Sequence, residues 1–190
     1  MTGVQTCALP IFLDVLDAFG IPIVGVDDYE ADDVIGVLTK AYGDQPIMIL
    51  SSDKDFVQLQ TNPNVKQYSP SMKKFITTDN PVQQLHELII RGDKGDGIPN
   101  ILSPDNAFID NIRQKPITEK FLREFESNKE KHQRNYDRNK QLIDLSHIPG
   151  SVTKNIIDTY EELKPANRQK FMNYMIANRL KNLLEVIDEF

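Results

Sequence analysis

Apolar positions along the chain divide it into short alternating elements. Phe12, Leu13, Val15, Leu16 and Phe19 share one face of a helix that Gly20 ends. Ile21 to Val26 is a short apolar run that predicts a strand. Ala31, Val34, Ile35, Leu38 and Tyr42 predict an amphipathic helix from about Tyr29 to Tyr42, with Asp27 and Asp28 placed to cap it. Ile47 to Leu50 reads as a buried strand, and Phe56, Val57 and Leu59 as a short helix after it. Val65 to Tyr68 and Phe75 to Thr77 predict two short strands around a turn at Pro70 to Lys74. Asp79 or Asn80 then caps a helix with Pro81 in its first turn and Val82, Leu85, Leu88 and Ile89 on its buried side, stopping at Gly92. Helices follow over 117–126, about 131–144, 150–163 and 165–180, with a short apolar piece from Leu183 to Phe190. Residues 101–115 give no clear pattern, and Met1 to Ile11 has neither period.

Helices and strands alternating at these short spacings imply parallel pairing and an α/β core. The 190 residues suffice for one such domain plus a helical extension. Cys7 is the single cysteine, so neither an internal disulfide nor a cysteine-rich metal site is expected. No apolar run has the length of a membrane span, so no membrane partner is expected. The net charge of −6 argues at first against a polyanionic partner. Its distribution changes that reading. Residues 1–60 hold 2 basic and 10 acidic residues, whereas residues 91–140 hold 11 basic and 9 acidic. The negative charge is concentrated around three acidic clusters, and divalent cations there would let the chain tolerate a polyanion.

The first cluster is Glu30, Asp32 and Asp33, in the first turn of a helix, where acids also complement the helix dipole. The second is Asp53 and Asp55, just past the strand Ile47–Leu50; it is either a helix cap or a chelating pair on extended backbone. The third is Asp93 and Asp96, in a glycine loop where acids are also ordinary turn residues. The strands expected before the first two clusters would bring both to one edge of a sheet. Converging carboxylates repel one another unless cations neutralise them, and oxygen ligands without His or Cys point to Mg²⁺ or Mn²⁺. Metal-assisted phosphodiester hydrolysis is the first reaction class this suggests. Gly92, Gly95 and Gly97 would let backbone N–H groups approach phosphate, with Lys94 adding charge; a plain helix–helix turn is the alternative. Lys66, Lys73 and Lys74 either extend a phosphate track or decorate a solvated hairpin. Lys129 to Lys140 reads as a solvated helix face, and His86, His132 and His147 as surface or core residues.

With these residues assembled, the chain resembles the flap endonuclease superfamily of structure-specific 5′ nucleases. Tyr29-Glu30-Ala31-Asp32-Asp33-Val34-Ile35-Gly36 is similar to that family's acidic helix start. Ser51-Ser52-Asp53-Lys54-Asp55-Phe56-Val57-Gln58-Leu59 is similar to its second acidic motif, and Arg91 to Pro99 to the loop of its helix–three-turn–helix element. Asn64 to Pro70, Leu142-Ile143-Asp144 and Ile187 to Phe190 resemble its phage ribonuclease H branch, and the likeness covers roughly residues 12–190. The resemblance implies a PIN-like three-layer α/β core with a mainly parallel, incomplete sheet, carried by residues 12–90. A helix–three-turn–helix and a helical DNA-binding region would occupy 91–190. It implies a first metal held or supported by Glu30, Asp32 and Asp53, with Asp33 a weaker candidate, and a second served by Asp55, Asp93 and Asp96. It implies Mg²⁺, or Mn²⁺ in its place, and in some members K⁺ at the glycine loop. The implied substrate is duplex DNA with a 5′ flap or an RNA primer. A single-strand-binding protein or sliding clamp would be a partner, and the enzyme a monomer in the cytoplasm of the host.

The likeness departs in two places. Residues 1–11 do not resemble the family's opening strand, its early aspartates or its basic arch, so a non-native or disordered tail, a missing amino-terminal part and weak or absent activity are expected. Asn100 to Lys115 shows no second glycine hairpin motif. Two rivals stand beside this reading: a haloacid dehalogenase-type phosphatase using Asp53 and Asp55, and a duplex-binding module without catalysis.

Overall fold

A computed structural model describes residues 13–27, 29–163 and 168–185. The expected tail (residues 1–11), Asp28 as a cap, and the ending Ile187 to Phe190 lie outside them. Helices and strands fall into two compact units, Tyr29–Lys154 and the described parts of 1–28 and 155–190.

In the larger unit, α2 (Ala31–Ala41) starts from Glu30 and buries Val34 and Val37. β1 (Ile47–Leu50) follows, then a 3-10 helix (Asp55–Thr61), β2 (Val65–Ser69) and β3 (Lys74–Ile76). The three strands form one sheet in the order β1-β2-β3. β1 and β2 pair in parallel, with Ile47 opposite Val65, while β2 and β3 pair as a hairpin, with Tyr68 opposite Phe75. One face packs Ile49, Phe56 and Val65 against Ile35, Leu59 and Leu145. The other leaves Met48, Leu50 and Phe75 exposed. The expected strand at Ile21 to Val26 does not form: residues 21–26 have no ladder partner among the described residues. An apolar run becomes a strand only where an edge accepts its N–H and C=O groups, and composition cannot supply that edge.

α3 (Pro81–Arg91) begins as its sequence predicts, with Pro81 in the first turn and Asn80 accepting the Gln83 N–H at 3.0 Å. It packs Ile89 and Ile90 into a core with Ile98, Ile101, Phe125, Tyr136 and Ile143. Successive turns cover residues 101–111 of the unpatterned stretch, and residues 112–118 run without regular structure to the next helix. α4 (Glu119–Asn128) is capped by Thr118 and followed by α5 (Gln133–Ile143). The stretch from Lys129 to Lys140 is therefore more than a solvated face, because α5 turns Tyr136, Asn139 and Ile143 inward. In a helix whose polar residues dominate, the fully buried Asn139 does not stand out by type.

The smaller unit contains α1 (residues 13–18), most of α6 (Gly150–Glu161), α7 (Arg168–Ala177) and α8 (Lys181–Leu184). Ala18, Ile156, Phe171 and Met175 are buried there. Phe19 meets Phe171 edge-on with ring centroids 4.2 Å apart, and Lys170 pairs with Asp17. Among the described residues no helix is long and apolar enough to cross a membrane.

Candidate metal centre

The end of β1 is held by a fully buried glutamine. Gln67 on β2 donates to the carbonyl oxygens of Ser51, at 3.0 Å, and Asp53. Asp53 Oδ1 accepts the backbone N–H of Asp55 at 3.0 Å, which starts the 3-10 helix. Gln58, on that helix, donates to the Asp55 and Ile143 carbonyls at 2.9 and 3.0 Å and accepts from the Leu145 N–H. The backbone around Asp55 is thereby tied to β2 on one side and to the end of α5 on the other.

The glycine loop brings the other acids. Gly92 has φ +69°, and a Cβ there would lie 2.4 Å from the Ile98 carbonyl oxygen, so only glycine allows the chain to leave α3 this closely. Asn139, fully buried on α5, donates to the carbonyls of Ile89 at 2.8 Å and Pro99 at 2.9 Å, pinning both ends of the loop. Arg138 adds a bond to the Pro99 carbonyl at 3.0 Å and pairs with Asp105. The glycines do not offer the free N–H groups expected of them. Gly92 donates to Leu88 at 2.8 Å, Gly95 to Asp93 Oδ1 at 2.7 Å, and Gly97 to Lys94 at 3.4 Å. The loop's tight turns use its own donors, leaving the exposed Lys94 side chain as its cationic feature.

Asp55, Asp93 and Asp96 each present a carboxylate oxygen within 4.8 Å of the other two. Asp55 Oδ1 is buried with no hydrogen-bond partner among the described residues. Burial, then the charges of Asp53 and Asp93, push the Asp55 carboxyl up to about 6, against the pull of Lys54. Burial would also raise Asp93, but the Lys54 ammonium, 2.8 Å from Oδ2, and the Gly95 N–H hold it below the usual range. A cleft of about 300 Å³ joins Asp55 and Asp96 to Glu30, Asp32 and Asp33. Burial raises Asp32, with the charges of Asp53, Glu30 and Asp96 adding to it. Asp33 accepts the Glu30 backbone N–H at 3.3 Å, so it serves the start of α2. All three acidic clusters thus meet electrostatically, with Asp55, Asp93 and Asp96 the tightest set.

This site fits a hard divalent cation. The donor set is all carboxylate oxygen, and one buried oxygen has nothing to satisfy it. Lys66, Lys73 and Lys74 are exposed on the β2–β3 hairpin, with Lys73 at φ +53° in its turn. Arg138 and Asn139 lie outside every motif, and Gln58 and Gln67 lie inside quoted stretches without an assigned role; their roles come from burial and carbonyl partners. His86 lies within the helical core, its Nδ1 3.0 Å from the Tyr136 hydroxyl.

Residues 81–190 match the family model for the T4 RNase H carboxyl-terminal region. The chain belongs to the T4 RNase H family. Residues 6–87 match the model for the 5′-3′ exonuclease amino-terminal resolvase-like domain, in agreement with the α/β organisation of the T4 RNase H-type chain described above. Ribonuclease H of Enterobacteria phage T4 is 31% identical over 183 residues, covering 88% of this chain and 60% of the relative. A 5′-3′ exonuclease of Aquifex aeolicus is 28% identical over 198 residues, covering 95% of this chain and 66% of the relative. The chain therefore spans under two thirds of the length of either. Solved relatives share the fold: a T5 protein co-crystallised with metal ions has a TM-score of 0.52 at 19% identity, covering 84% of this chain and 73% of that one. A T5 5′-exonuclease mutant has a TM-score of 0.51 at 20% identity, covering 79% and 76%.

Proposed function

We propose that this T4 RNase H-family chain carries part of a metal-dependent 5′-to-3′ nuclease that hydrolyses phosphodiesters near the 5′ end of an RNA primer or DNA flap on a duplex. The observation that carries the reading is the buried, unpartnered Asp55 Oδ1 within a triad of carboxylates. Asp55, Asp93 and Asp96 are assigned to one ion, and Glu30, Asp32 and Asp53 to the support of a second across the cleft. When bound, two Mg²⁺ or Mn²⁺ ions supply an activated water and stabilise the attacking and leaving oxygens.

The chain's own residues then have separable tasks. Asp55 offers the desolvated oxygen. Asp93 is held ionised, and Asp53 fixes the backbone turn that aims Asp55 into the cluster. Asp33 braces the helix that presents Glu30 and Asp32. Lys94, with Lys66, Lys73 and Lys74, is assigned to phosphate contacts on the duplex, where each neutralised phosphate makes binding more salt-sensitive. The glycine loop shapes the backbone grip, and its carbonyl oxygens are the acceptors available to K⁺.

These 190 residues alone are expected to cut slowly or not at all, because they span about 60% of the phage relative. The test is release of 5′ label from an RNA-primed duplex in Mg²⁺ and in chelator. Trace Mg²⁺-dependent cleavage that Asp55→Asn abolishes fits the proposal. Robust processive cleavage would overturn the expectation of weak activity, and cleavage unchanged by chelator or by Asp55→Asn would overturn the metal assignment.

A further inference from the structure

Lys54 lies between two acids in sequence, yet its ammonium reaches a third. Its Nζ is 2.8 Å from Asp93 Oδ2, while Asp93 Oδ1 is taken by the Gly95 N–H. Both oxygens of Asp93 therefore already have donors. The Lys54 side chain is 65% exposed, whereas that of Asp93 is 10% exposed. A largely exposed cation is thus paired with an almost buried carboxylate.

We propose that Lys54 is the internal counter-ion of the Asp55–Asp93–Asp96 position: a divalent cation must displace it to gain Asp93, and this exchange sets the position's affinity and its preference for divalent over monovalent ions. The proposal rests on the metal reading of these three carboxylates. The charge argument is direct. An ammonium left beside a dication would be repelled at close range, so the two compete for the same carboxylate. A monovalent ion gains no charge over the ammonium it replaces, whereas a divalent ion does. Lysine suits this role because its charge is a compact point on a flexible stem, free to leave without breaking a bidentate fork.

There is room for the displaced group. A separate cleft of about 280 Å³ is lined by Lys54 and Asp55 together with Gln84, Glu87 and Arg91. Glu87 and Gln84 provide acceptors there, so the ammonium exchanges one carboxylate for another.

The experiment is Mn²⁺ binding to the 190-residue chain, read by electron paramagnetic resonance, for the wild type, Lys54→Met and Lys54→Arg. Removing a charge-assisted competitor should tighten Mn²⁺ binding about tenfold in Lys54→Met. Lys54→Arg should bind no more tightly than wild type, and K⁺ should displace Mn²⁺ more readily from Lys54→Met. Equal or weaker Mn²⁺ binding in Lys54→Met, alongside binding by the wild type, overturns the exchange and leaves the metal reading intact. No Mn²⁺ binding by any of the three overturns both.

Discussion

Asp53 Oδ1 accepts the Asp55 backbone N–H at 3.0 Å, so two acids of one short motif have different tasks. Asp53 ties the backbone leading into the 3-10 helix, while Asp55 has a carboxylate oxygen near those of Asp93 and Asp96 and, among the described residues, a buried Oδ1 without a hydrogen-bond partner. The bond made by Asp53 sets the backbone from which the Asp55 side chain projects. Asp55→Asn is expected to abolish divalent binding at the triad while keeping the fold. Asp53→Asn retains an acceptor for the turn and should weaken binding only partly. Calorimetric Mn²⁺ titration of the two variants distinguishes them.

The raised Asp55 carboxyl makes stability pH-dependent in a defined direction. Its folded pKa of about 6 exceeds the ordinary 3.8, so the folded state holds the proton more tightly than the unfolded chain. In chelator, stability is therefore greatest below the unfolded pKa and falls as pH rises from about 4 to above 6. Asp32 is shifted the same way. Asp93 has the opposite sign: its contribution is lost as pH falls through its depressed folded pKa, below this window. Because Asp55 is partly solvated, its effect is on the order of 1 kcal/mol. Thermal melts in chelator should show Tm falling from pH 4 to pH 7, and Asp55→Asn should flatten that slope.

Backbone geometry predicts unequal glycine substitutions. Gly92→Ala places a Cβ 2.4 Å from the Ile98 carbonyl at φ +69°, and should cost on the order of 2 kcal/mol or more. Gly97→Ala meets no atom within 4 Å and bears only the positive-φ cost, about 1 kcal/mol. Urea denaturation of the two variants measures the difference.

Asn139 holds the loop to α5 through two donated bonds, to Ile89 and Pro99. Asn139→Asp replaces those donors with a buried carboxylate facing two carbonyl oxygens. A loss of about 3 kcal/mol is expected. Weakened Mn²⁺ binding in the fraction that folds would show that the same bonds position Asp93 and Asp96.

Much of this was legible from residue types. The strand at Ile47–Leu50, the hairpin around Pro70 to Lys74 and the Asn80–Pro81 helix start all form as local chemistry predicts, but the strand expected to be buried leaves Met48 and Leu50 exposed, because among the described residues nothing covers that face of the sheet. The three acidic clusters were legible because carboxylates at strand and helix ends are visible in sequence. The strand expected at Ile21 to Val26 was not decidable, since pairing depends on an edge elsewhere. Of the two readings the sequence leaves open for the glycine loop, the internal bonds of its N–H groups favour the tight turn, a consequence of backbone angles that sequence does not display. The roles of Gln58, Gln67 and Asn139 were not legible for a related reason: each is set by a carbonyl 14 to 85 positions away.

The proposed function assigns Asp55, Asp93 and Asp96 to one divalent-cation site. Isothermal titration of the 190-residue chain with Mn²⁺, repeated on Asp55→Asn and Asp93→Asn, tests it most directly. Saturable binding by the wild type that either substitution removes is the predicted result. Absence of binding, or binding that both variants retain at wild-type strength, would contradict the account.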